Sequence, residues 1–229
     1  MKITQLLGTL CAALCTFTTL SAQAITVPVG VNPGETYQLV FFTAGTTDAL
    51  STNIADYNSF VQSEAALNPA LTGTDIGVTY TIIGSTSSVN ANTNAAVTAP
   101  VYLIDGSALI ATSYNDFWDG TISHPIDQDQ YGVRYVNTCC WTGTLLDGTA
   151  APGQPLGLAT GSTIFGTNGV SSTDSQWINT GAFGNKSTKL SVYALSSVIT
   201  APVPIPAAVW LFGSGLIGLI GIARRKKAA

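Results

Sequence analysis

The residues of this chain best suited to chemistry lie in one stretch. Tyr114-Asn115-Asp116-Phe117-Trp118-Asp119-Gly120-Thr121 is followed by His124-Pro125-Ile126-Asp127-Gln128-Asp129, then by Tyr131-Gly132 and Trp141-Thr142-Gly143-Thr144. Asp116, Asp119, Asp127 and Asp129 can supply part of the roughly six to eight oxygens that calcium takes. Their spacing is not that of an EF-hand loop, because Asp127 and Asp129 lack the third acid and the distal Glu. Trp118, Trp141 and Tyr131 stand among these acids and offer ring faces to a sugar. Asp116, Trp118, Asp119, Asp127, Asp129 and Trp141 therefore form a candidate ligand or calcium site. The competing reading, which spacing favours, is structural: Asp-Gly pairs make turns, and Asp side chains cap loops and short helices.

The catalytic inventory is thin. The chain has one histidine, His124, and neither a Gly-x-Ser-x-Gly elbow nor a phosphate loop. A carboxylate pair drawn from the four Asp is the minimum for glycoside hydrolysis, but the required separation cannot be read from spacing. The chain is expected not to be an enzyme, and calcium is the one candidate cofactor. Cys139 and Cys140 are the cysteines outside the N-terminal leader. Adjacent Cα atoms lie about 3.8 Å apart, below the roughly 4.4 Å of an unstrained disulfide. Three states stay open: a strained vicinal bridge, two buried thiols, or one bridge to another molecule.

The elements that must position these residues follow from pattern. Tyr37 to Thr43 is rich in aromatic and β-branched residues and reads as a first strand. Within Asp48 to Leu67, Ile54, Tyr57, Val61 and Ala65 recur at helical spacing, with Thr52 or Asn53 as cap and Asn68-Pro69 as stop, which predicts one amphipathic helix. Gly77 to Ile83 alternates as a strand. Val101 to Ile110 reads as a hairpin turning at Asp105-Gly106, and Leu190 to Leu195 as a closing strand. Trp141 to Gly157 and Thr160 to Thr173 read as loops. The expected fold class is α+β: one compact ectodomain over residues 25–200, with one early amphipathic helix, many short antiparallel strands and long loops.

Charge narrows the partners. All twelve acids fall within 25–200. Only Arg134, Lys186 and Lys189 oppose them there, a net charge of −9 where the whole chain carries −4. Phosphate backbones need clustered Lys and Arg, so no nucleic-acid partner is expected.

The two ends carry addresses. Residues 1–24 have Lys2, an apolar stretch, and Ala22-Gln23-Ala24 as a small-x-small cleavage site, the form of a secretory signal peptide. Leu10 and Leu14 precede Cys11 and Cys15, where a lipoprotein signal needs a small residue. At the other end, residues 201–229 hold a Pro-punctuated linker, an uncharged apolar run from Ala207 to Ala223, and Arg224, Arg225, Lys226 and Lys227. As a helix this run rises about 25 Å, a marginal span of a roughly 30 Å hydrocarbon core. Trp210 can lie at the outer interface, and the cations hold the basic end at the cytoplasmic side of the inner membrane, so the residues before Ala207 face outward.

Val203-Pro204-Ile205-Pro206-Ala207, the Trp-Leu-Phe-Gly-Ser-Gly run and the Ala-Arg-Arg-Lys-Lys end together resemble the PEP-CTERM sorting signal in its Val-Pro-Leu-Pro-Ala form, with Ile205 where Glu or Leu is usual. That resemblance implies a Gram-negative bacterium, an exosortase-type sorting enzyme as partner, and a protein sent to the cell surface or extracellular matrix, often with exopolysaccharide. Within the ectodomain, Tyr-Leu-Ile-Asp-Gly, Phe-Trp-Asp-Gly-Thr, Pro-Ile-Asp, Tyr-Gly, Trp-Thr-Gly-Thr and Asp-Gly-Thr, in that order, resemble a family of bacterial exported domains shaped like C-type lectins. This second likeness implies an early helix and a long late loop region. The Glu-Pro-Asn, Gln-Pro-Asp and Trp-Asn-Asp elements of sugar-binding lectins are missing, as are their long-range disulfides, so calcium-dependent sugar binding does not carry over. The expectation is an exported, surface-sorted structural or interaction protein associated with extracellular polysaccharide. The alternative is a carbohydrate- or calcium-binding module of lectin-like shape.

Overall fold

The computed structural model describes residues 25–72, 77–159, 161–168, 172–204 and 212. The fold is α+β, with few helices and many short strands. β1 (Thr36–Phe42) is followed by α1 (Ile54–Ala66), α2 (Pro69–Thr72), β2 (Tyr80–Ile82), α3 (Ala91–Asn94), β3 (Val101–Leu103), β4 (Leu109–Ala111) and α4 (Tyr114–Phe117). Then come β5 (Cys139–Trp141), β6 (Thr163–Thr167), a 3₁₀ turn at Ser175–Trp177, β7 (Gly181–Phe183), β8 (Tyr193–Ser196) and β9 (Ile199–Thr200).

β1 is the hub because all its side chains but Thr36 are buried and, Gln38 apart, these are apolar, as a central strand requires. The main sheet runs β2-β8-β1-β3-β4, and β9 pairs with the start of β1. Alternation sends Tyr37, Leu39 and Phe41 to one face, where Tyr57, Val61 and Ala65 of α1 pack with Tyr80, Ile82 and Trp141. Val40 and Phe42 go to the other face, among Leu103, Phe117, Trp118, Trp177 and Tyr193.

α1 forms on the face its spacing predicts and starts after Asn53, one of the two expected caps. The Asn53 side chain accepts from Ala55 N at 3.1 Å and fixes the first turn there. At Asn68 the same device starts α2, since its Oδ1 accepts from Ala70 N at 3.0 Å. The helix also finishes the sheet. β2 is an edge strand, and its outward backbone groups are met by side chains: Ile82 N donates to Asn58 Oδ1 (3.0 Å), Tyr80 N to Gln62 Oε1 (2.7 Å), and Asn94 Nδ2 to Ile82 O (2.9 Å). Amides thus stand in for a missing strand and leave the edge without free donors at these points.

The Asp105-Gly106 hairpin forms as expected: Gly106 takes φ +70°, and Leu103 N bonds to Ala108 O at 3.0 Å. Two expectations are corrected. The strands are not all antiparallel, because β1 and β3 pair in parallel, Leu39 opposite Tyr102; α1, α2, β2 and α3 lie between them in the chain and make the crossover. The late region is not only loop, because β5, β6 and β7 form an antiparallel three-stranded sheet in which Trp141 lies opposite Phe165 and Phe165 opposite Gly181. Trp141 N bonds to Ser191 O at 2.9 Å and ties this sheet to the segment entering β8. The closing strand is displaced to Tyr193–Ser196.

The signal-peptide positions Ala22 and Ala24 lie outside the described residues. So do Ile205, Pro206 and Ala207 of the sorting motif, the 207–223 span apart from Phe212, and Arg224 to Lys227. Val203 and Pro204 are described and exposed. Among the described residues no helix is long and apolar enough to cross a membrane.

Candidate functional site

Three of the four clustered acids, Asp116, Asp119 and Asp129, each serve their own turn. Asp116 Oδ2 accepts from Thr112 N (2.6 Å) and Thr112 Oγ1 (2.8 Å), tying the start of α4 back to the end of β4. Asp119 Oδ1 accepts from the backbone N and hydroxyl of Thr121, both at 2.8 Å. Asp147 repeats this arrangement on Thr149, at 2.9 and 2.6 Å. Asp129, 2% exposed, accepts from Tyr131 N (2.9 Å) and Val133 N (3.0 Å). Among the described residues no three His, Cys, Asp or Glu side chains gather closely enough to hold a metal ion. These are side-chain-to-backbone turns, the chemistry that short polar residues perform locally.

The two tryptophans proposed to meet a ligand are inside the protein. Trp141 is fully buried and donates from Nε1 to Thr188 O at 3.0 Å. Trp118 is 6% exposed and packs edge-on to Phe117, with ring centres 5.0 Å apart, in a nest completed by Trp177. Neither ring has a face to offer a sugar, because both are core anchors whose large apolar area is best spent there. His124, half-buried, sits with Nδ1 2.8 Å from Pro125 O.

The structure gathers a different set around Arg134. Its Nη1 donates to both carboxylate oxygens of Asp127 (2.8 and 2.7 Å), and its Nη2 donates to Ser107 Oγ (3.0 Å) and lies 3.6 Å from Asp105 Oδ2. Gln128, buried, donates to Asp105 Oδ2 at 2.6 Å. Burial raises the Asp105 pKa, but hydrogen bonds from Ser107 and Gln128 together with the Arg134 charge outweigh it, so the carboxyl stays below its ordinary value. One cation thus joins the β3–β4 turn to the 127–135 loop.

That loop is pinned from beneath. Asp129 N and Val133 O bond at 3.0 Å, and Gly132 takes φ +78° to close the turn. Gln130, also buried, donates to Glu64 Oε2 (2.8 Å) and accepts from Ala44 N (2.8 Å), while Asn68 Nδ2 donates to its carbonyl (2.7 Å). On this frame Tyr131 is 53% exposed and Tyr135 50% exposed, with Val133 and Val136 also outward. Tyr135 rests edge-on against Phe42, with ring centres 6.0 Å apart. A cleft of about 150 Å³ opens beside Tyr131, walled by Thr26, Asn68, Ile104, Asp105 and Gly132. An exposed phenol next to a carboxylate, an amide and a hydroxyl can stack on the apolar face of a sugar while its hydroxyls find partners.

Of the sequence candidates, this site therefore keeps Tyr131, with Asp127 on Arg134 beside it and Asp129 as support beneath. Asp116, Asp119, Trp118 and Trp141 do not line the Tyr131 cleft. Asp105 and Arg134 were not among the candidates. The available signal was that Arg134 is one of only three cations in a domain with twelve acids. No protein-family model matches this chain, and no curated protein matches it.

Proposed function

We propose that this is an exported, surface-sorted protein of an extracellular polysaccharide matrix, with a structural or interaction role rather than a catalytic one. The three-part C-terminal signal, motif then apolar run then four cations, carries the reading, and the secretory leader at the other end agrees with it. In this reading an exosortase-type enzyme processes the Val203–Ala207 motif after the 207–223 span has lodged in the inner membrane with its basic end inside. The ectodomain then passes to the cell surface or the matrix.

The Tyr131 cleft favours a second, compatible reading, in which the ectodomain itself grips carbohydrate. Tyr131 supplies the stacking face, and Asp105, Asn68 and Thr26 supply the polar partners. The lectin-like resemblance lends this reading a shape, and the binding it supports does not run through calcium.

Cell fractionation tests the first reading. The full chain is expected in the surface or matrix fraction, and a chain ending at Thr200 is expected in the periplasm or medium. Retention of the full chain in the cytoplasm would sink it. Tyr131→Ala tests the second: matrix retention should fall while the fold, followed by thermal melting, is kept.

A further inference from the structure

A second trough, at the β2–β8 edge of the main sheet, is separate from the Tyr131 cleft. It has a volume of about 250 Å³, and among its walls are Gln38, Thr79, Thr81, Thr98, Ser197 and Val198. None of its lining residues is ionisable, on a domain where acids outnumber bases by twelve to three.

The floor is rigid. Gln38 is buried in β1, and all its amide capacity is used: Nε2 donates to Ser196 O (2.8 Å) and Ala96 O (3.1 Å), while Oε1 accepts from Thr98 N (2.8 Å) and Ala99 N (3.2 Å). One buried side chain thus locks the 96–99 loop to β8 across the sheet. Thr79 and Ser197 clamp the far wall, with Ser197 N bonded to Thr79 O (2.7 Å) and Thr79 N to Ser197 Oγ (3.2 Å).

The walls, in contrast, have capacity to spare. The hydroxyls of Thr79, Thr81 and Thr98 make no hydrogen bond among the described residues, and that of Ser197 accepts one but donates none. Each can both donate and accept. Val198, exposed at the rim, adds an apolar surface. Uncharged donor-acceptor groups on a preorganised frame, beside a small apolar patch, are what a polyhydroxylated neutral ring requires. A carboxylated or sulfated sugar would find no cation here to neutralise it.

We infer that this trough is a binding site for one residue of a neutral saccharide chain. The inference rests on the polysaccharide-matrix reading and deepens it by naming the sugar class and the residues. The Tyr131 cleft and the trough are then two points at which one polymer, or two, is held.

The test uses the full chain, purified in a detergent without a sugar headgroup, and titrated with dextran, laminarin and galactomannan as neutral probes and alginate as the anionic one. Binding to at least one neutral probe is expected, with none to alginate. The combined variant Thr79→Val, Thr81→Val and Thr98→Val keeps side-chain volume and removes three hydroxyls, so neutral-probe affinity should fall about tenfold or more. Thr98→Arg, at an exposed position, provides an independent block at the mouth and should give the same loss. Unchanged affinity in both variants, preference for alginate, or no binding to any neutral probe overturns the trough. Loss of binding only in Tyr131→Ala also overturns it but leaves the matrix reading standing, which the fractionation experiment decides separately.

Discussion

Cys139 and Cys140 are neighbours in β5, and they face opposite sides of the three-stranded sheet. Cys140 is buried with Tyr193 in the second core, whereas Cys139 opens on a cavity of about 250 Å³ walled by Phe165, Phe183 and Leu190. Alternation along a strand imposes this, since successive side chains leave on opposite faces. Both thiols are free, so of the three states left open by spacing the vicinal bridge is not the one adopted. An uncharged maleimide should modify one of the two in the folded protein. Cys139→Ser should remove that fast site and Cys140→Ser should leave it, with the second thiol reacting only in denaturant. Two equally fast thiols would contradict the arrangement.

Alkali should destabilise the fold through the same region. Burial pushes the Cys140 and Tyr193 pKa values above their ordinary 9.0 and 10.0, so both stay protonated in the folded chain at pH values where the unfolded chain has released its protons. Their contribution is therefore fully present below about pH 9 and declines as pH rises beyond it. Tyr57 and Tyr80, raised by burial too, add in the same sense. Urea midpoints measured from neutrality to about pH 11 should fall over the upper part of that range, and a flat profile would refute the attribution.

Asn58→Ala should be costly for a polar position on a helix surface. It removes the acceptor of Ile82 N and also the two amide contacts with Asn94. A partly buried backbone donor left without a partner costs about 1–3 kcal/mol. A urea midpoint within error of the parent would show that the β2 edge does not depend on this amide.

Gly166→Ala tests the packing of β6 against the 3₁₀ turn. Its backbone is not in the left-handed region, so the glycine is required by space: a Cβ there would overlap the Trp177 carbonyl and lie 2.9 Å from Ile178 Cα. Both neighbours are backbone and cannot swing away, so a loss of about 1–3 kcal/mol or more is expected from overpacking, read as a lower melting temperature.

Calcium should leave the melting temperature unchanged relative to chelator, because Asp116, Asp119, Asp127 and Asp129 are each engaged in separate turns or with Arg134. A rise of several degrees would mean that these side chains regroup around an ion, since a ligand that binds only the folded state stabilises it by mass action.

What the sequence determined by itself was local. The apolar run that becomes β1, the helical spacing of Tyr57, Val61 and Ala65 with Asn53 as cap, and the Asp105-Gly106 turn are encoded by neighbours within a few residues, where propensity and periodicity act. The Asp-Thr turns at 119–121 and 147–149 belong to the same class, as does the acidic balance of the domain. What the tertiary structure decided was long-range. Thr163–Thr167 carries Thr and Gly like a loop, Cys139–Trp141 is too short to show a period, and the two become strands only by pairing with each other. Trp141 is a core ring and Tyr131 an exposed one, although sequence presents both as aromatics among polar residues. Arg134 holds Asp127 within its own loop but reaches Asp105 and Ser107 on the distant β3–β4 turn, and the trough at Gln38 draws its walls from β1, β2, the 96–99 loop and β8. Burial and convergence depend on contacts between distant segments, and no short window of residues contains both partners.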